Sequence, residues 1–122
     1  MQQDDKSIKA ENFFNKLFPS RNITRVLLVT PPDADETLFR FDTAKRKRYT
    51  NYPPYGLLLI ARVLEALAIK VEICNLNFEI LQECRNSKSE KVFNHVDVWQ
   101  RKLDQKLKDF SPDFVGVTCM FT

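Results

Sequence analysis

At 122 residues, with 43% hydrophobic content and ten phenylalanines, the chain reads as one packed globule rather than a disordered tail. A net charge of +3 is a mild basic bias, too small to demand a nucleic-acid partner. The polar opening MQQDDKSIKAEN excludes a secretory signal, and no apolar run reaches the ~18 residues that a membrane span needs.

In chain order, the spacing of Ile8, Phe14, Leu17 and Phe18 predicts an amphipathic helix over 5–18, stopped by Pro19. RVLLVT (25–30) is short, apolar and β-branched, and Pro31 and Pro32 close it, which is the pattern of a strand buried on both faces. Residues 31–52 show no apolar periodicity and read as a long loop, a length that in compact domains goes with function or disorder. A helix follows from Pro54 to Ala68. Pro54 suits its first turn, Pro53 holds the entering chain extended, and Gly56 permits close approach from outside. Only Arg62 and Glu65 are charged over 57–69, so this helix is apolar nearly all round and calls for cover on two sides.

KVEICNL (70–76) predicts a second strand, and EILQECR starts another helix that pauses at Asn86. Ser87 and Glu90 are spaced as a capping box that restarts it. Val92, Val96, Trp99, Leu103, Leu107 and Phe110 then form one apolar stripe, and PDFVGVTCMFT (112–122) is a third strand. Alternating helices and buried strands imply an α/β fold with a parallel sheet joined by right-handed crossovers. Three strands are few for such a sheet, and the third leaves an apolar edge unpaired, so the sheet is expected to be incomplete and a homo-oligomer to form through that edge. Residues 1–22 are expected to be a helical extension and 23–122 the α/β domain.

Chemistry-bearing residues are sparse. Cys74, Cys84 and Cys119 fit no zinc, iron–sulfur or thioredoxin spacing, and as residues of apolar runs Cys74 and Cys119 read as reduced, buried thiols of a cytoplasmic protein. The two glycines lie too far apart for a phosphate-cradling loop. His95, the only histidine, has Asp97 nearby but no nucleophile, and its neighbours predict a surface or rim position. Glu72 and Glu79 do not form a carboxylate pair for acid–base work. KRKRY (45–49), with Tyr52 and Tyr55, has the composition of a single-stranded RNA binder, but Asp33, Asp35, Glu36 and Asp42 offset its charge, and a solvated loop is expected.

Three stretches in order, VLLVTPP, PPYGLLLIARVLEALAIKVEICNL and FSPDFVGVTCMFT, resemble the N-terminal cobalamin-binding domain of radical S-adenosylmethionine enzymes. The likeness covers about residues 25–122 and implies a flavodoxin- or Rossmann-like three-layer fold with strand order 2-1-3 and a corrinoid lying over the carboxyl ends of the parallel strands. It implies that Tyr52, Pro53, Pro54, Tyr55 and Gly56 line the lower face of the corrin. Pro31, Pro32 and Asn75 end strands at the same edge, and Thr118 and Thr122 present hydroxyls to the cofactor tail. The chain departs from the family pattern in three places. Asn51 and Pro53 stand where cobalt-ligating relatives carry aspartate and histidine, so no imidazole reaches the cobalt. Ala68 replaces a glycine, and Asn75 replaces an aspartate. An iron–sulfur cluster and S-adenosylmethionine belong to a C-terminal radical domain that is absent from these residues. The resemblance thus implies a non-catalytic cofactor-domain fragment whose own cobalamin affinity is weak or absent. The alternative is a free-standing dimeric interaction module that has lost the cofactor.

Overall fold

Arg25–Thr30 forms β1, and its four central residues are buried, as a strand covered on both faces must be. The computed structural model describes residues 5–17 and 22–119. Lys70–Asn75 (β2) and Phe114–Val117 (β3) flank β1, both parallel to it as the alternation of elements predicts, in the order β2-β1-β3. The register pairs Val29 with Cys74 on one side and with Val117 on the other. Asp113 locks the amino-terminal edge. One carboxylate oxygen accepts from the Thr24 backbone N–H at 2.8 Å, the Thr24 hydroxyl at 2.9 Å and the Arg25 N–H at 3.0 Å.

Strand alternation sends Val26 and Leu28 to one face and Leu27 and Val29 to the other. On the first face they pack with Leu57 and Ala61 of α3 (Tyr55–Ala66). On the second, Leu27 and Val29 join Cys74, Leu76 and Phe110, with Trp99, Leu103 and Leu107 of α5 (His95–Phe110) packed against them. Helices thus cover both faces of the sheet. On the α3 side β3 lies close enough to its neighbour that a Cβ on Gly116 would stand 3.1 Å from Leu28 Cδ2, a tight contact that the leucine side chain would have to relieve by shifting.

Two helices remain. At the amino terminus α1 (Asp5–Leu17) keeps Ile8, Phe13 and Leu17 exposed; Phe18 and the side chain of Phe14 lie outside what is described. After β2, α4 (Leu76–Asn86) is capped by Asn75, whose side chain accepts from the Phe78 N–H at 3.0 Å. Ion pairs Arg101–Glu83 and Lys102–Glu79 run between α5 and α4, but both are partly exposed and orient the pair more than they stabilise it.

Several expectations need correction. Residues 31–52 are not structureless: Phe41–Lys45 forms a short helix, α2, and a third core cluster forms there. In it Ala44, fully buried, packs with Leu81 and Cys84 of α4, and Phe39, Phe41, Tyr49 and Phe93 close around them. The aromatic spacing follows neither a helical nor a strand period, which is why periodicity missed it. The helix restart lies later than Ser87. Glu90–Val92 is a 3-10 turn, and α5 begins after Asn94, whose side chain accepts from the Asp97 N–H at 3.0 Å. Val92 is therefore exposed and outside the stripe, while Val98, off the predicted stripe, is buried. Cys119 is exposed beyond the end of β3 rather than buried in a strand. Cys74 and Cys84 are buried, and burial raises both thiol pKa values, so they stay protonated and inert.

The end of α3 carries a strain that the sequence anticipates. Ile69 N–H donates to Leu64 O at 3.1 Å and Ala68 N–H to Glu65 O at 3.0 Å, a full Schellman motif with Ala68 in the left-handed position at φ 63°. Leu64 and Ile69 both pack into the α3-side core, the apolar contact usual for this motif. A Cβ in that conformation costs roughly 1 kcal/mol. Ala68→Gly is therefore expected to raise unfolding stability by about 0.5–1 kcal/mol in urea titration, with the m-value unchanged.

Candidate functional site

The strand order reverses direction between β1 and β3, and in open α/β sheets ligands bind at the carboxyl edge beside such a reversal. A cleft of about 510 Å³ lies there, within the size range of small-molecule sites. Val29 and Val117 supply its strand side, Leu76, Trp99 and Leu103 its helix side, and Pro31 and Pro32 the turn that leaves β1. Its apolar wall follows from local structure. Val29 and Val117 are register partners and point to the same face, and β3 is too short to draw α5 fully over Val117.

The polar groups of the cleft come from Asp35, Glu36 and His95. His95 opens α5 and is only 8% exposed, not the surface or rim residue expected. Its ring stands 5.0 Å from that of Phe39, centroid to centroid, and both ring nitrogens are closed off from solvent. Burial lowers its pKa below the ordinary histidine range, while the Ala34 carbonyl and the Glu36 and Asp35 carboxylates pull weakly the other way. The positive end of α5 also disfavours a cation at this position. The imidazole is therefore neutral near pH 7, with one donor and one acceptor nitrogen. Asp35 is ionised. Its pKa is lowered by the Thr37 hydroxyl and by the N–H groups of Leu38 and Thr37, with which it forms an Asx turn.

The segment that carries these carboxylates is held at both ends. Asn77, buried at the start of α4, accepts from the Asp33 N–H at 3.2 Å and donates to Asn51 Oδ1 at 3.1 Å. Lys45 reaches across to the carbonyls of Arg85 and Ser87 at the end of α4. Tyr49 Oη accepts from the Arg40 N–H at 3.0 Å. The basic run is thus partly spent on structure, and Arg46, Lys47 and Arg48 are solvent-exposed.

Of the residues singled out from sequence, Pro31 and Pro32 line the cleft. Asn75 ends β2 as the α4 cap, and Thr118, half-buried, donates its N–H to Val29 O at 3.0 Å, so both stand at the same edge as the prolines. Pro54 caps the start of α3, flanked by exposed Tyr52, Pro53 and Tyr55. A Cβ on Gly56 would meet nothing within 4 Å, so the first turn of α3 is open. None of 52–56 lines the cleft, and Thr122 lies outside the described residues. His95, Trp99 and the 35–36 carboxylates were missed as site residues. The apolar stripe of α5 was the one signal for them, since it ends on the residues that face the cleft.

Among the described residues no three His, Cys, Asp or Glu side chains come together to hold a metal ion, and no helix is long and apolar enough to cross a membrane. Comparison with protein-family models, with curated proteins and with solved structures finds no match.

The state of His95 predicts a pH dependence. Its folded pKa is depressed, so on acidification the unfolded chain takes up this proton first. The stability it contributes is present above pH 6.5 and is lost as pH falls through the lower folded pKa. The melting temperature is therefore expected to fall over that interval, and His95→Phe, which keeps a ring against Phe39, should flatten the slope. Asp35 and Asp113, both held low by hydrogen bonds, account for a separate loss below pH 3.8.

Proposed function

We propose that this chain is a cobalamin-binding-type α/β domain, the N-terminal part of a radical S-adenosylmethionine enzyme, that holds the cofactor and performs no chemistry of its own. One observation carries the reading. A parallel sheet of order β2-β1-β3 gathers Pro31, Pro32, Asn75 and Thr118 at one carboxyl edge, beside the open first turn of α3. By topology α3 starts at that edge, since it runs back between two parallel strands. A corrin ring needs flat apolar cover and room for close approach. Tyr52, Pro53 and Tyr55 are exposed there, and Gly56 faces open space, so these residues fit the group. The imidazole of His95 lies in the cleft on the α5 side and not among 52–56, so Tyr52, Pro53 and Tyr55 would cover the lower face with side chains that offer no imidazole. A bound corrinoid supplies methyl-transfer or radical-assisting chemistry, while an iron–sulfur cluster and S-adenosylmethionine belong to a downstream domain. The residues here bind, orient and screen.

Equilibrium dialysis against hydroxocobalamin is expected to give saturable but weak binding, with Kd on the order of 0.1 mM, and Gly56→Phe should weaken it about tenfold by filling the open turn. No saturation at millimolar cofactor overturns the reading.

A second reading has an observation of its own. Beyond its buried side α3 exposes Leu58 and Ile60, with Leu59 at 70% and Val63 at 63%, and Leu67 just past its end is exposed as well. On β3, Val115 and Val117 are also exposed. Apolar surface of this kind suits a symmetric dimer. Light scattering is then expected to give twice the 14.3 kDa chain mass, and Leu59→Lys with Val63→Lys to halve it. A parent chain that stays monomeric at every concentration overturns the dimer.

A further inference from the structure

We propose that the basic end of the molecule, built from residues 40–49 and 85–92, docks peripherally on an anionic phospholipid surface. This goes beyond the corrinoid and dimer readings and rests on neither, since Tyr52–Gly56, α3 and β3 take no part in it.

The charge is gathered by folding. In the sequence Asp33, Asp35, Glu36 and Asp42 offset the run KRKRY, but three of the four stand elsewhere. The Asp33 backbone is tied to Asn77 at the start of α4, and Asp35 and Glu36 line the cleft. In their place the fold brings up a second basic run. Lys45 donates to the carbonyls of Arg85, at 2.9 Å, and of Ser87, and Cys84 packs with Ala44, which sets the end of α4 against α2. Phe93 stacks on Phe39 and lies 5.7 Å from Phe41, which holds the turn at Glu90–Val92 to the same end. Residues 40–49 and 85–92 together carry eight lysines and arginines against two carboxylates, Asp42 and Glu90, in a chain whose net charge is only +3. Arg46, Lys47, Arg48, Arg85, Lys88 and Lys91 are exposed, and none forms an ion pair among the described residues.

Such a cluster selects a polyanion. The apolar groups beside it select the kind. A single nucleic-acid strand is gripped by stacking on exposed rings. Here Phe39, Phe41, Tyr49 and Phe93 are packed on one another and on Ala44, Leu81 and Cys84. The exposed apolar groups are aliphatic instead. Leu38 and Val92 are both 70% exposed, and each immediately precedes a ring of the cluster, Phe39 and Phe93, whose centroids are 5.5 Å apart. Aliphatic side chains beside basic ones suit the headgroup–acyl boundary of an anionic leaflet, where cations meet lipid phosphates and short apolar groups leave water. A phosphodiester backbone gives Leu38 and Val92 no apolar partner.

The full chain is sedimented with vesicles of phosphatidylcholine alone or with about one-third phosphatidylserine. Partitioning is expected to be about tenfold stronger onto the anionic vesicles at low salt and to vanish near ~0.5 M salt. Arg46→Glu with Arg48→Glu should weaken it at least about tenfold, and Leu38→Ala with Val92→Ala about threefold, with thermal melting confirming that both variants are folded. Leu59→Gln with Val63→Gln, on α3, should leave it unchanged. The proposal is overturned if the two vesicle types bind equally, if either basic-end variant partitions like the parent, or if the α3 variant loses binding. It is also overturned, in favour of a nucleic acid, if a single-stranded oligouridylate at equal phosphate concentration displaces the chain from anionic vesicles. Failure of hydroxocobalamin to bind leaves these outcomes unaffected, so the two readings fail separately.

Discussion

β1 is hydrogen-bonded along both edges, and the rest of the molecule is arranged by that constraint. A strand with two parallel neighbours has no free edge and no solvent face, so all four central side chains must be apolar and both faces must be roofed. Val26 and Leu28 draw α3 onto one side, and Leu27 and Val29 draw α5 onto the other. Parallel pairing also requires each crossover to traverse the whole sheet, so every loop following a strand opens at the same rim. The cleft, the prolines, the Asn75 cap and the start of α3 are therefore neighbours because of strand direction.

Much of this was legible in the chain. The run RVLLVT closed by two prolines, the near-continuous apolar character of 57–69 and the alternation of element types carry the parallel sheet and its cover on both faces, while the strand order came only with the resemblance. The left-handed turn at Ala68 was foreshadowed by the resemblance, which puts a glycine at that place. What could not be read was the interior of 31–52. Phe39, Phe41, Ala44 and Tyr49 are core residues held by contacts with α4 and with Phe93, partners distant in the chain, and local periodicity carries no trace of such contacts.

The candidate site was half legible for the same reason. Strand ends are written in local sequence, so Pro31, Pro32, Asn75 and Thr118 were placed correctly at one rim. His95 was misplaced because its neighbours Asn94 and Asp97 are polar and exposed, and burial of the ring comes from the 34–39 segment folding back over it. A capping residue beside a buried one gives contrary signals within a single turn. Asn94 serves the backbone of α5 while His95 faces inward, and spacing alone does not separate the two roles.

Asn77 makes one further consequence visible. Its amide touches the chain at Asp33 and again near Asn51, so both ends of the excursion are tied to one side chain while its middle packs on α4. Such a knot at the neck separates what happens at the tip, around Arg46–Arg48, from the geometry of the sheet beneath. Loop-closure entropy rises by only about 0.6 kcal/mol for each doubling of length, so the tip can be lengthened or exchanged at small cost. This gives the fold a socket where new recognition surface can be grafted without redrawing its foundations.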